Sequence, residues 1–569
     1  MKSSKIFSIK LVLWALLASA AVQGQTAKTA KGSQVTAATA RGAIAGRVLG
    51  EDGQPLADVS VSVSALGSGR SLRRTGSTDD EGNFKINDLP AALYGITATV
   101  PGFISSSGGA QDATCRVGDN VTVRMVKGGV VTGKVTDATG QPVVGASVWA
   151  LRVRDAESHS LVSATAVIPK PAMVDDRGVY RIYGLPSGSY VVYSSGAGES
   201  LATSIGARDV PTYYPSATRD TAQEVTVTAG IETQDIDIKH RGEAGFAVSG
   251  MIVGAIDNGA SVVTPVQVEL MRAGMLVAST SVNTRLANGF GIYGVPEGDY
   301  EILARQGVGD FVGRNQVSSS ASAPQRLTVR GGDVPGVELR LAALGSIAGR
   351  VVLEKLDKTD CQITRRGKLE EVLLQSQRED VNGRRSSVAE ESLVATPDEK
   401  GGFLIRDLTA GRYRFSTQLP SDYWYAKSLN LPPAQVLVVA GLALKSGEKM
   451  TGLVLTLAEG AASVSGRTEG KKLPARLRVH LVPADAQAEA LHYAEVVTWD
   501  ASFSFSHIAP GKYWLLARTV PEDESIEQPP NPIAWDAAAR AKLRREAEAV
   551  QQPLELTACQ RAKDFIVKF

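Results

Sequence analysis

One short motif recurs five times along this chain and constrains the fold more than any other feature. It is an apolar-x-Gly-x-apolar strand: IAGRV at Ile44, VTGKV at Val131, VSGMI at Val248, IAGRV at Ile347 and VSGRT at Val464, the last residue drifting to Thr. A regular internal repeat means one supersecondary unit copied along the chain. In the first two copies a Gly-Gln-Pro turn follows, leading into a second strand whose Val59, Val61 and Val63 alternate as in a half-buried sheet. Later in each copy comes a hairpin of the form Asp-x-x-Gly-x-aromatic-x-Ile-x-x-Leu-Pro-x-Gly-x-Tyr, with drift. It reads TDDEGNFKINDLPAALY from Thr78, VDDRGVYRIYGLPSGSY from Val174 and LANGFGIYGVPEGDY from Leu286, then TPDEKGGFLIRDLTAGRY from Thr396 and WDASFSFSHIAPGKY from Trp499. Asp79 or Asp80 is expected to accept backbone N–H groups in its turn. Tyr94, Tyr190, Tyr300, Tyr413 and Tyr513 are expected to be buried, their hydroxyls tied to nearby backbone to pin a corner. A closing strand ends each copy, starting at Asn120, Ile236, Val337, Leu453 and Asp564; Cys559 stands near where the other copies have Gly.

The copies begin roughly 90 to 120 residues apart, the size of one small sandwich. The expected fold class is therefore all-β, a tandem array of about five small antiparallel Ig-like sandwiches with one short helix near the C-terminus. The boundaries read 1–24 signal peptide, 25–42 flexible linker, then sandwiches over 43–127, 128–241, 242–343, 344–460 (with a long insertion) and 461–569 (with a helical insertion). The insertion Glu354 to Ser392 is polar and without strong period, and reads as a long loop. Ile533 to Val550 reads as the helix, being rich in Ala, Arg, Glu and Leu.

Lys2, Lys5 and Lys10 ahead of the apolar run Leu11 to Val22 have the layout of a secretory signal peptide, cleaved between Ala20 and Gly24. The run is shorter than the ~20 residues a membrane span needs, and no later segment qualifies. The chain is thus expected to be exported (periplasmic, cell-surface or secreted), with no transmembrane segment after cleavage. Three Cys, at 115, 361 and 559, allow at most one disulfide, and buried single thiols are the favoured reading. A formal net charge of +2 gives no field that would select nucleic acid.

The opening strands and the Leu-Pro-x-Gly-x-Tyr corners resemble the carboxypeptidase regulatory-like domain family, most fully in the first two copies, although the first lacks the corner Gly. That resemblance implies a transthyretin-like seven-stranded sandwich, related in shape to starch-binding and collagen-adhesin repeats. It does not imply peptidase activity. A Lys–Asn isopeptide staple of the adhesin kind is not expected, because only Lys134 sits on an opening strand and its closing strand has no Asn.

Candidate chemistry is sparse. The five His (159, 240, 480, 492 and 507) form no His-Glu-x-x-His. Two open a His-x-x-Glu, His240 with Glu243 and His492 with Glu495, but neither lies in the α/β setting of a metallopeptidase, and incidental His is the favoured reading. The carboxylates Asp79-Asp80-Glu81, Asp175-Asp176 and Asp398-Glu399 recur at one turn, which turn capping explains without calcium. The aromatic clusters Tyr213-Tyr214 and Tyr423-Trp424-Tyr425 are the candidate ligand contacts. Either they stack a sugar, or they pack over a sandwich edge, which is favoured. The expectation is a non-catalytic structural, adhesion or protein-interaction module of the cell envelope, without cofactor or metal. Its partner would be an unidentified protein or glycan; the alternative is a carbohydrate-binding protein using exposed aromatic residues.

Overall fold

The computed structural model describes residues 41–67, 72–105, 113–156, 171–197, 209–254, 265–272, 275–308, 317–356, 361, 366–379, 392–431, 436–437, 441–485, 489–520 and 536–569. The proposed signal peptide, the proposed linker up to residue 40, and His159 lie outside them, and Gly42, the last residue of that linker, already begins the first strand.

The same pairing recurs five times. Each opening strand (Gly42–Leu49, Gly129–Thr136, Phe246–Val253, Gly345–Glu354, Ala462–Glu469) lies in the interior of a sheet. On one side it pairs antiparallel with the aromatic strand of its copy, Asn83–Leu89 in the first and Ser502–Ile508 in the last. On the other it pairs with the closing strand, and this one pairing is parallel. A second, four-stranded antiparallel ladder faces the first; in the first copy its order is Arg73–Ser77, Ser60–Ala65, Leu93–Thr99, Ala113–Arg116. Three shared strands plus four give the seven expected, and in the first copy the short Phe103–Ser105 adds an eighth beside the closing strand. In the third copy Val317–Ser322 joins the two sheets into one. Five apolar clusters, one per copy, fill the space between the layers.

The recurrent glycine has a steric cause. A Cβ on Gly46, Gly133, Gly250, Gly349 or Gly466 would stand well inside 3.0 Å of a closing-strand carbonyl oxygen: that of Val121, Ile236, Val337, Leu453 or Phe565. The residue directly across the antiparallel ladder is aromatic each time, Phe84, Tyr180, Phe290, Phe403 and Phe503. All five rings are buried. A ring laid across from a cross-strand glycine fills the space its missing side chain leaves.

The expected hairpin is not one. Its first arm belongs to the first sheet and its second to the other, so the Leu-Pro segment is an arch between layers. A residue with left-handed φ breaks the ladder just before the Leu: Asp88, Gly184, Gly294, Asp407 and His507. The register of the opening strand shifts opposite it each time. The arch is then pinned by the tyrosines as expected. The hydroxyls of Tyr94, Tyr190 and Tyr300 donate to the carbonyls of Pro90, Pro186 and Pro296, and those of Tyr413 and Tyr513 to Thr409 and Ala509, all at 2.7–2.8 Å.

Two further readings need correction. Within Glu354 to Ser392, Leu373–Arg378 is a strand of the second sheet, paired with Gly411–Gln418 and Ser392–Ala395. Its apolar stretch is too short to show a period, which hides it. And Cys361 and Cys559 are joined in a disulfide, Cα atoms 5.2 Å apart, so only Cys115 is the buried free thiol. Burial, with Asp119 nearby, pushes its pKa up to about 12. Cys559 does occupy the glycine position of the other copies. Its φ is 63°, against 91°, 75°, 61° and 67° at Gly118, Gly230, Gly331 and Gly447.

The helix runs Ala537–Val550, capped by Asp536, whose carboxylate accepts from Ala538 and Ala539 N–H. Leu543 and Ala547 bury against Val482 and Leu516 on the outer face of the last copy's second sheet.

Gly250→Ala and Gly466→Ala should each destabilise by about 1–3 kcal/mol, the range for overpacking a closed site. Tyr513→Phe, which leaves the ring in place, should cost about 1 kcal/mol. Denaturant melts of the purified chain check both.

Candidate functional site

The recurrent polar residues are absorbed by the turns. Asp79, Asp175 and Asp398 each accept the backbone N–H of the residue four positions on, at 2.7–2.8 Å. Asp500 does similar work at the turn of the last copy, with Ser502 and Thr498, and these bonds hold its pKa down at about 2. Among the described residues no group of three or more His, Cys, Asp or Glu could hold a metal ion.

Neither His-x-x-Glu pair converges. Glu243 is taken by Arg241 at 2.6 Å, whereas His240 turns inward: its Nδ1 is 3.1 Å from Ser194 Oγ and its Nε2 3.7 Å from Asp209. This row of Ser, His and Asp has the members of a hydrolase triad. Ser194, however, is fully buried in mid-strand, where no substrate carbonyl could reach its Oγ. In the other pair, His492 Nε2–H donates to the Ala426 carbonyl at 3.0 Å. Glu495 instead accepts from the Tyr493 hydroxyl at 2.8 Å and lies 3.4 Å from buried His480. Burial would raise the Glu495 pKa, but the bonds from His480 and Tyr493 outweigh it and lower it.

His492 and His507 serve the seam between the last two copies. His492 reaches Ala426, and His507, at the left-handed position of its strand, has Nδ1 3.0 Å from the Trp424 carbonyl. The disulfide closes the same seam. Contacts are not only between neighbours in sequence, since the Arg116 guanidinium of the first copy donates to the Pro420 carbonyl of the fourth.

The aromatic clusters are placed differently from one another. Tyr423 and Trp424 are 5% and 1% exposed, inside the fourth core, and half-buried Tyr425 lies edge-on to His492. They present no exposed platform, because Trp424–Leu431 is itself a strand that covers the closing strand Lys449–Glu459. Thr212–Tyr213 likewise pairs along Gly188–Ala197, and half-buried Tyr214 packs on the second core. Tyr213, however, also faces a cleft.

That cleft, of about 660 Å³, lies between the second sheets of the second and third copies. From the second copy Trp149, Tyr193 and Tyr213 line it; the two tyrosine ring centroids are 5.0 Å apart. From the third come Met271, Leu276 and Tyr300. Burial raises the pKa of Tyr193, Tyr213 and Tyr300 alike, so these phenols stay neutral. Charged groups ring the apolar walls in pairs: Arg272 with Asp220 at 3.3 Å, Arg241 with Glu243 at 2.6 Å and Arg305 with Glu269 at 3.8 Å. The Arg272 guanidinium also sits 5.8 Å from the Tyr300 ring centre. Of the five aromatic residues that the sequence singles out, only Tyr213 lines this cleft. Trp149 sits within the strand Ala146–Arg154 with nothing in its spacing to set it apart, and the wall opposite comes from another copy.

Residues 43–126 match the family model of the carboxypeptidase regulatory-like domain, and the first sandwich is a domain of that type. No curated protein matches the chain. Among solved structures the chain is similar to GBS52, the minor pilin of Streptococcus agalactiae (14% identity, 36% of this chain and 97% of that one, TM-score 0.20). It is also similar to the Bacillus anthracis TIE protein (11%, 90% and 74%, 0.15) and to the shaft pilin SpaA of Lactobacillus rhamnosus GG (11%, 36% and 100%, 0.17). Scores this low carry no argument about function.

The last two copies should be sensitive to both redox state and pH. Reduction, or Cys361→Ser, should destabilise those copies by about 2–4 kcal/mol, the usual worth of such a link, read as a lower melting temperature in reductant. Burial depresses the pKa of both His480 and His492 below 6.5. The unfolded chain therefore takes up protons first as pH falls through about 6.5, and stability should decline from there downward, while holding steady just above it. Melting curves from pH 8 to 5 check this, and His492→Gln should flatten the decline.

Proposed function

We propose that the chain is an exported, non-catalytic array of five β-sandwich modules, bounded at 43–127, 128–241, 242–343, 344–460 and 461–569. It acts as a structural, adhesion or protein-interaction element of the cell envelope. The observation that carries this reading is that, among the described residues, every recurrent one (glycine, aromatic, aspartate, tyrosine) is consumed in making the sandwich and is not left for chemistry. The disulfide supports export, since such links persist in oxidising compartments.

Fractionated cells should hold the protein outside the cytoplasm, shortened between residues 20 and 24, with Cys361 and Cys559 resistant to alkylation until reduced. The purified mature chain should bind isolated envelopes saturably. A full-length, reduced, cytoplasmic protein would overturn the reading of export, and a chain that ignores envelopes would overturn that of adhesion.

Carbohydrate binding is the second reading, favoured by one observation: Tyr213 belongs to an aromatic-walled cleft.

A further inference from the structure

We propose that the cleft between the second and third sandwiches is a binding site for a short neutral oligosaccharide, a site made by two modules and present in neither alone. The inference rests on the carbohydrate reading above and gives it a place and a ligand class.

The size fits first. About 660 Å³ lies within the range of about 300 to 1,000 Å³ typical of small-ligand sites, with room for about two or three linked rings. The walls fit next. Trp149 and Tyr193 bring two half-buried rings from one module to a single wall, backed by the buried ring of Tyr213, whose centre is 5.0 Å from that of Tyr193. The faces of such rings carry negative charge density that attracts the polarised C–H groups on the flat side of a pyranose.

The charges then choose among ligands. Four arginines (219, 241, 272 and 305) and four carboxylates (Asp220, Glu243, Glu269 and Glu297) line the cleft, so its formal charge is zero. Three of the arginines already face a carboxylate within 4.0 Å. An anionic ligand would have to compete with these carboxylates for the guanidinium groups, and a cationic ligand with the guanidinium groups for the carboxylates. Hydroxyls both donate and accept, so a neutral sugar can bridge a paired guanidinium and carboxylate without separating them. A purely apolar ligand would leave the charged rim desolvated and unsatisfied.

The test is calorimetric titration of the purified mature chain with maltotriose, cellotriose and laminaritriose, and with trigalacturonate as the anionic counterpart. At least one neutral trisaccharide should bind. Trp149→Ala should weaken it about tenfold or more, a typical loss for a central aromatic contact. Asp220→Asn, at a side chain 73% exposed and so remote from folding, should weaken the neutral sugar and strengthen trigalacturonate, because it leaves Arg272 unbalanced. Melting curves of both variants identify any loss that is only unfolding.

If a neutral sugar binds and neither variant alters its affinity, the cleft assignment fails while carbohydrate binding stands. If none of the three binds, both fail. Trigalacturonate binding to the unaltered chain as tightly as the best neutral sugar would overturn the ligand class.

Discussion

Everything in this molecule depends on the close approach of two backbones at the opening-strand glycine. In each sandwich the carbonyl of one closing-strand residue points at a Cα that must carry no side chain. This contact lets the first and last strands of a copy lie side by side in parallel, while the other described pairings of the copy are antiparallel. The chain thus returns to its starting strand, and one copy closes before the next begins. In copies two to five the approach is helped by a left-handed residue just before the pointing carbonyl: Asp235, Gly336, Gly452 and Asp564. The first copy runs straight through at Asn120 and Val121 without one.

That interaction explains why so much of the fold is legible in the sequence. A steric demand that only glycine meets, an aromatic placed across from it, and a tyrosine that ties an arch leave marks at fixed spacing. Each survives drift elsewhere, so even the last copy, with Thr468 for a valine and Ala509 for a proline, keeps all three. The features that the sequence hides lack such marks. An arch and a hairpin have the same alternation and the same turn residues, and differ only in which neighbour each arm pairs with. The strand Leu373–Arg378 is too short to declare a period amid polar insertions. The partner of Cys559 lies 198 residues away, and Cys559 itself fills a turn position that already has a conformational explanation.

The cleft is illegible for a different reason. Its aromatic wall is the outward face of a second sheet, where alternation marks only the solvent side. Trp149 and Tyr193 are therefore indistinguishable in sequence from any aromatic on an exposed strand face. Only the arrangement of two consecutive modules brings them opposite Tyr300 and Arg272. Tyr213 alone stands out along the chain, because it lies in a dense aromatic pair on a connection.

The link from Cys361 to Cys559 has a mechanical consequence. A pull applied to the two ends of the chain would enter the fourth sandwich, cross at the disulfide, and leave within a few residues of the C-terminus. The stretch between the two cysteines, a separation of 198 positions or about 670 Å if drawn out at ~3.4 Å each, would never bear the load. Stretching would fall on the first three modules and on the two strands that flank the link, Gly345–Glu354 and Arg561–Lys568, while the chain between the cysteines would be spared.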